Sequence, residues 1–350
     1  GYYLPENIPG AVLVPLESKN PILLENDQAW PEFVRVTREF LSDRSPEGFP
    51  AIVQRERVED DVRTCTAKDG ARLAYAVSGD GFPLVKAPNW ITNLHTDRSN
   101  PSYRHWIMEC ERSSRFVRSD MRGFGQSELE PPTFTIDSMI DDIGSVIDDL
   151  GLETCDLIGV AHGAPLAMAY AGRNLDRVRK LILVNGFAAG WRVRANSEEL
   201  AWRNSLIEMN RREWSFRRSL LGEMFLTLYF PGADKELIDW HNAHLPEFGP
   251  VTRLEAMIEL AADIDVREDV PKIRAETLIC HSKQDGNAPL YAGKEVADAI
   301  KGSRFVELDG ANHILLANEP AWPAFVREMR AFLRSGRIEP ELADGRAAEG

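Results

Sequence analysis

The segment CDLIGVAHGAPLAMAYA, residues 155–171, is where the sequence first offers chemistry. An apolar run ends in Gly159-Val160-Ala161-His162-Gly163 and passes at once into a small-residue helical pattern. The spacing is that of a G-x-S-x-G turn with alanine in the serine position. Small residues two before and two after the centre let a strand hand over to a helix in a tight corner. The helix N-terminus and the free N–H of His162 then face whatever reacts at residue 161. A hydroxyl there could attack a carbonyl; Ala161 has none. A bare G-x-x-x-G is weak evidence, so the reading depends on what surrounds it.

Other chemistry-bearing residues read more blandly. His241 and His244 are three apart, but no carboxylate pattern completes a metal site, so no metal is expected. The run Arg211-Arg212-Glu213-Trp214-Ser215-Phe216-Arg217-Arg218 reads as a solvated helix face, with docking to an acidic partner as the alternative. Cys65, Cys110, Cys155 and Cys280 stand singly among apolar or helical residues, which predicts buried thiols and a reducing, cytoplasmic compartment.

Elements able to position the corner follow from the hydrophobic pattern. VRTCTA, an Asp69-Gly70 turn and RLAYAVSG predict a hairpin. FPLVKA, RFVRSD, CDLIGV, LILVNG, ETLICH and RFVEL read as short buried strands, and 136–150 as a helix stopped by Gly151. Continuous apolar strands alternating with helices predict a mostly parallel sheet covered on both faces. Residues 61–189 and 270–335 carry that pattern. Residues 190–269 break it with a helical, aromatic-rich stretch that reads as an inserted cap, and a cap over strand ends makes a pocket. Trp191, Trp214, Phe225 and Tyr229 are its candidate substrate contacts, although each aromatic alone is more simply cap core.

Residues 8–43 align without gaps to 300–335, at an offset of 292 and with 18 identities in 36 positions. Each copy reads as strand, polar turn and amphipathic helix, and Pro21 stands where the second copy has His313. One strand-helix unit cannot bury its own apolar face. The first copy is therefore expected to be the end of an upstream domain akin to the main one or a docked arm, which leaves a fused parent or a swapped homodimer open. The chain opens Gly1-Tyr2-Tyr3 without methionine, which fits the missing-domain reading. Residues 44–60 read as a linker and 336–350 as a loose tail.

In this context the stretch 62–335 resembles the α/β-hydrolase superfamily. Asp120-Met121-Arg122-Gly123-Phe124-Gly125-Gln126-Ser127 is similar to the family's D-x-R-G-x-G-x-S turn. His281-Ser282-Lys283-Gln284-Asp285 through Pro289 is similar to its acid-bearing loop, with Ser282 where glycine is usual. Asp309-Gly310-Ala311-Asn312-His313 is similar to its histidine loop. The runs at 312–322 and 85–90 resemble bacterial members fused to transcriptional regulators or nucleotide cyclases. The resemblance implies an α/β-hydrolase fold, with residue 161 at the nucleophile position, His313 as general base and Asp285 orienting it. It implies an oxyanion hole from the N–H of His162 and, after the strand PLVKA, that of Trp90. Relatives carry His-Gly where this chain has Pro88-Asn89, and Asn89 joins the candidate substrate contacts.

The function this implies is hydrolysis of a small carboxylic ester, lactone or thioester, with no cofactor. Ala161 reads as a serine replaced at the bench; a natural non-catalytic sensor domain, or His/Asp chemistry that needs no serine, are the alternatives. The chain has 55 acidic and 41 basic residues, a net charge of −14, which argues against nucleic-acid partners. No apolar run is long enough to span a bilayer and no signal peptide pattern opens the sequence.

Overall fold

In the computed structural model the described residues are Leu16, Ser18, 27–42, 60–89, 92–213 and 226–335. The chain divides into two units, residues 1–58 and 59–350. In the first unit, helix α1 spans Trp30–Ser42. Asp27 opens it by accepting the Ala29 N–H at 2.9 Å and the Ser18 hydroxyl at 2.7 Å. The helix of the second copy, α10, spans Ala321–Arg334, so both copies form a helix in nearly the same register. Their faces differ in burial: Phe325 is fully buried, whereas Phe33 is 38% exposed. The strand and turn expected in the first copy, the linker up to residue 59 and the tail lie outside the described residues.

The second unit is built on eight strands. They are β1 (Asp61–Thr66), β2 (Arg72–Ser78), β3 (Pro83–Lys86), β4 (Arg115–Ser119), β5 (Cys155–Val160), β6 (Val178–Val184), β7 (Glu276–Ser282) and β8 (Arg304–Leu308). Their order in the sheet is β1-β2-β4-β3-β5-β6-β7-β8. Only the β1–β2 and β2–β4 pairings are antiparallel. The expected hairpin turns through Gly70 at φ 92°, a conformation glycine takes without strain.

Adjacent residues of the central strands feed two cores. Leu157, Leu183 and Ile279 face helices α3 (Ile136–Asp149), α4 (Gly163–Arg173), α8 (Val251–Asp263) and α9 (Leu290–Ala299). Ile158, Ile182 and Cys280 face α2 (Arg104–Glu111) and α10. β5 is buried along its whole length, as a strand covered on both faces must be. Helices α5 (Trp191–Arg194), α6 (Ser197–Glu213), α7 (Lys235–Phe248) and α8 occupy the interval between β6 and β7. The four cysteines are buried and free. No described helix is long and apolar enough to cross a membrane.

The turn at 120–127 is a scaffold. Asp120 Oδ2 accepts the N–H groups of Gln126 (2.8 Å) and Leu94 (3.1 Å). A Cβ on Gly125 would lie 2.2 Å from that carboxylate, so only glycine fits there. Arg122 is buried and bonds Asp142 of α3 at 2.7 and 2.5 Å and Asp69 of the hairpin turn at 2.6 Å, tying three elements together. His105 and Trp106 of α2 both bond the carbonyl of Leu315, at 2.8 and 3.0 Å, and so anchor the loop that follows His313.

Candidate active site

Between β5 and α4 the backbone turns through Ala161 at φ 52°. An L-residue holds that left-handed conformation at a cost of about 1–2 kcal/mol, so the surroundings must impose it. They do so from both sides: Ala161 donates its N–H to Val184 at 2.9 Å, and its carbonyl accepts from Ala164 at 3.0 Å. A Cβ on Gly159 would lie 2.6 Å from the Cα of Ala164, which excludes any side chain there. The segment is thus a sharp strand-to-helix corner. His162 caps α4 with its backbone, and its ring meets Phe187 edge-on at 5.6 Å. Burial, then the nearby His313, Arg194 and Arg203, push the His162 pKa down to about 3, so its ring is neutral at physiological pH.

Asp285 and His313 arrive on the loops after β7 and β8. Nδ1 of His313 and Oδ2 of Asp285 are 2.7 Å apart, with both side chains wholly buried. The other oxygen, Oδ1, accepts from the N–H groups of Asn287 (2.8 Å) and Ala288 (3.1 Å), which fixes the carboxylate plane. The N–H of His313 donates to the carbonyl of Tyr229 at 2.8 Å, and the two rings meet edge-on at 5.4 Å. Nε2 of His313 is buried and has no hydrogen-bond partner among the described residues. Its ring lies 6.0 Å from that of His162, the residue next to Ala161.

Asn185 is a part of this site that the sequence reading missed. It follows β6 at φ 49°, a conformation asparagine tolerates better than most residues. Its side chain bonds the carbonyls of Asn312 and His313, both at 2.9 Å, and accepts the Ser282 N–H at 2.7 Å. One residue thereby joins the acid strand to the histidine loop. The available signal was a polar residue ending the apolar run LILVNG.

The remaining candidates are dispersed. Asn89 is buried against the N-terminus of α4, donates to the Tyr103 hydroxyl at 3.3 Å, and leaves Oδ1 without a partner among the described residues. Tyr229 lies on His313, and burial pushes its hydroxyl pKa up to about 12. Trp191 is buried at the start of α5, with the guanidiniums of Arg192 and Arg203 over its ring at 5.0 and 5.8 Å. Trp90, Trp214 and Phe225 lie outside the described residues. His241 shares a 2.8 Å hydrogen bond with Ser102, and His244 bonds the Trp240 carbonyl at 2.8 Å. No group of three His, Cys, Asp or Glu among the described residues is arranged to hold a metal ion.

The sequence is similar to the AB hydrolase superfamily protein YisY of Bacillus subtilis, 27% identical over 237 residues, 67% of this chain and 86% of that protein. It is also similar to a 2-hydroxymuconate semialdehyde hydrolase of Pseudomonas sp. CF600, 27% identical over 241 residues, 66% of this chain and 80% of the relative. The fold matches that of an esterase from Exiguobacterium antarcticum with a TM-score of 0.66 at 22% identity, over 78% of this chain and 99% of the other. Residues 99–320 match the family described as alpha/beta hydrolase fold, and with the corner at Ala161 and the loops of Asp285 and His313 in that setting, the chain belongs to the α/β-hydrolase family.

Proposed function

We propose that this is the site of a hydrolase of small carboxylic esters, lactones or thioesters, with residue 161 at the nucleophile position, and that Ala161 leaves the present chain unable to form an acyl-enzyme. The observation that carries the reading is His313 itself. Its Nδ1 is engaged by Asp285, while Nε2 is buried without a partner among the described residues, on a ring 6.0 Å from that of His162. An imidazole oriented on one nitrogen and free on the other is set to take a proton.

With serine at 161, Oγ attacks the acyl carbon as its proton passes to Nε2 of His313. Asp285 stabilises the resulting imidazolium. The N–H of His162, at the positive end of α4, and that of Trp90 receive the oxyanion. Collapse expels the alcohol or thiol, protonated by His313. A water activated by the same nitrogen then releases the acid.

The test is Ala161→Ser, with Ala161→Ser/His313→Ala as control, on p-nitrophenyl esters and acyl lactones. The expected result is a gain in kcat on the order of 10³-fold or more that vanishes without His313. No gain with a folded variant would overturn the reading. Ala161 also favours a second reading, a silent hydrolase fold that binds its ligand as a sensor. An alanine codon in the gene together with no gain from serine would select it.

A further inference from the structure

Two arginines from the inserted helices reach the loop that carries Asp285. Arg194 of α5 donates to the carbonyls of Ala189 (2.9 Å) and Asn287 (2.8 Å). Arg203 of α6 donates to the side chain and the carbonyl of Asn287, both at 3.2 Å, and pairs with Glu199 at 2.8 Å. The two differ in charge balance. Arg203 contacts a carboxylate. Arg194 is in no ion pair among the described residues but bonds two carbonyls and the Tyr291 side chain and feels the charge of Glu199, and its Nε–H is buried without an acceptor among the described residues. Carbonyl dipoles satisfy N–H groups but do not cancel a charge, and a guanidinium cannot shed its proton to escape burial.

The surplus charge stands near the corner. Arg194 lies over the ring of Phe187 at 5.2 Å, and that ring meets His162 at 5.6 Å. Both arginines act electrostatically on His162, and Arg203 makes Arg194 harder to keep charged.

We propose that Arg194, seconded by Arg203, binds a carboxylate carried by the substrate, so that this site takes anionic acyl compounds, such as half-esters of short dicarboxylic acids or lactones bearing a free carboxylate. The two guanidiniums share one nearby carboxylate, Glu199, so a monoanion would balance the second, and the planar guanidinium fork suits a carboxylate. The proposal rests on the hydrolase reading for where the acyl group sits, but not for the anion contact itself.

Binding is therefore tested on the chain with Ala161, which needs no turnover. Monomethyl glutarate and its neutral counterpart dimethyl glutarate are titrated calorimetrically. The half-ester is expected to bind at least about ten-fold tighter, the size of one charge-assisted hydrogen bond. Arg194→Gln should erase that preference, Arg203→Gln should weaken it, and Arg194→Lys, which keeps the charge but not the fork, should retain part of it. Thermal unfolding checks that each variant is folded. Equal binding of the two probes, or a preference indifferent to Arg194→Gln and Arg203→Gln alike, overturns the proposal. In the Ala161→Ser background, mono-p-nitrophenyl glutarate is compared with p-nitrophenyl butyrate. Turnover without preference for the anion would sink the carboxylate site and leave the hydrolase reading standing. Arg194-dependent binding without turnover would do the reverse.

Discussion

Oδ2 of Asp285 holds Nδ1 of His313, while Oδ1 accepts two backbone N–H groups of its own loop. The two functions separate by mutation. Asp285→Asn can keep the carbonyl oxygen toward the loop, but its amide then donates to Nδ1 and forces the proton onto Nε2, the wrong tautomer for a base. In the Ala161→Ser background kcat is expected to fall about 10⁴-fold with little change in the unfolding midpoint. A drop of less than ten-fold would show that Asp285 is not the orienting acid. At this scale Gly159, Asp285 and His313 were readable because their neighbours form compact local patterns. Asn185, Arg194 and Arg203 were not, because each acts on a segment 84 to 128 residues away and carries no local motif.

Among the elements, the turn at 120–127 shows how a motif can be structural. Arg122 is buried between Asp69 and Asp142, so removing its charge leaves two carboxylates facing each other. Arg122→Met is expected to cost about 3–5 kcal/mol, read as a fall in the urea midpoint at pH 7. A change below about 1 kcal/mol would show the cluster to be dispensable. Strands β3 to β8 were legible from apolar runs, β1 and β2 from the hairpin signal around Asp69-Gly70, and α4 from its small residues; β5 and the helix beside it are almost wholly buried, whereas β1 is mostly exposed. Helices α2 and α9 went unassigned. Their one-sided apolar patterns are short, and α9 begins directly behind Pro289, so neither announced itself.

For the molecule as a whole, pH acts through buried neutral histidines. Burial lowers His105 and His241 to about 4 and His162 to about 3, from an ordinary value of 6.5. A depressed pKa in the folded state means that the unfolded chain binds protons first as pH falls. The share of stability that these histidines control is therefore full above about 6.5 and declines as pH drops toward 4. His241 alone should contribute up to about 3 kcal/mol of that loss once its folded value is passed. Urea midpoints from pH 7 to 4 should fall along a slope that His241→Gln makes shallower, since glutamine can still meet Ser102 but takes no proton. Superimposable slopes would remove His241 from this account.

The bonds from α5 and α6 to Gly286 and Asn287 also couple those helices to the loop that carries Asp285. Any displacement of the two helices would cut bonds that steady the segment next to Asp285. Variation in that interval of the chain is therefore felt at the imidazole, through the loop that orients it.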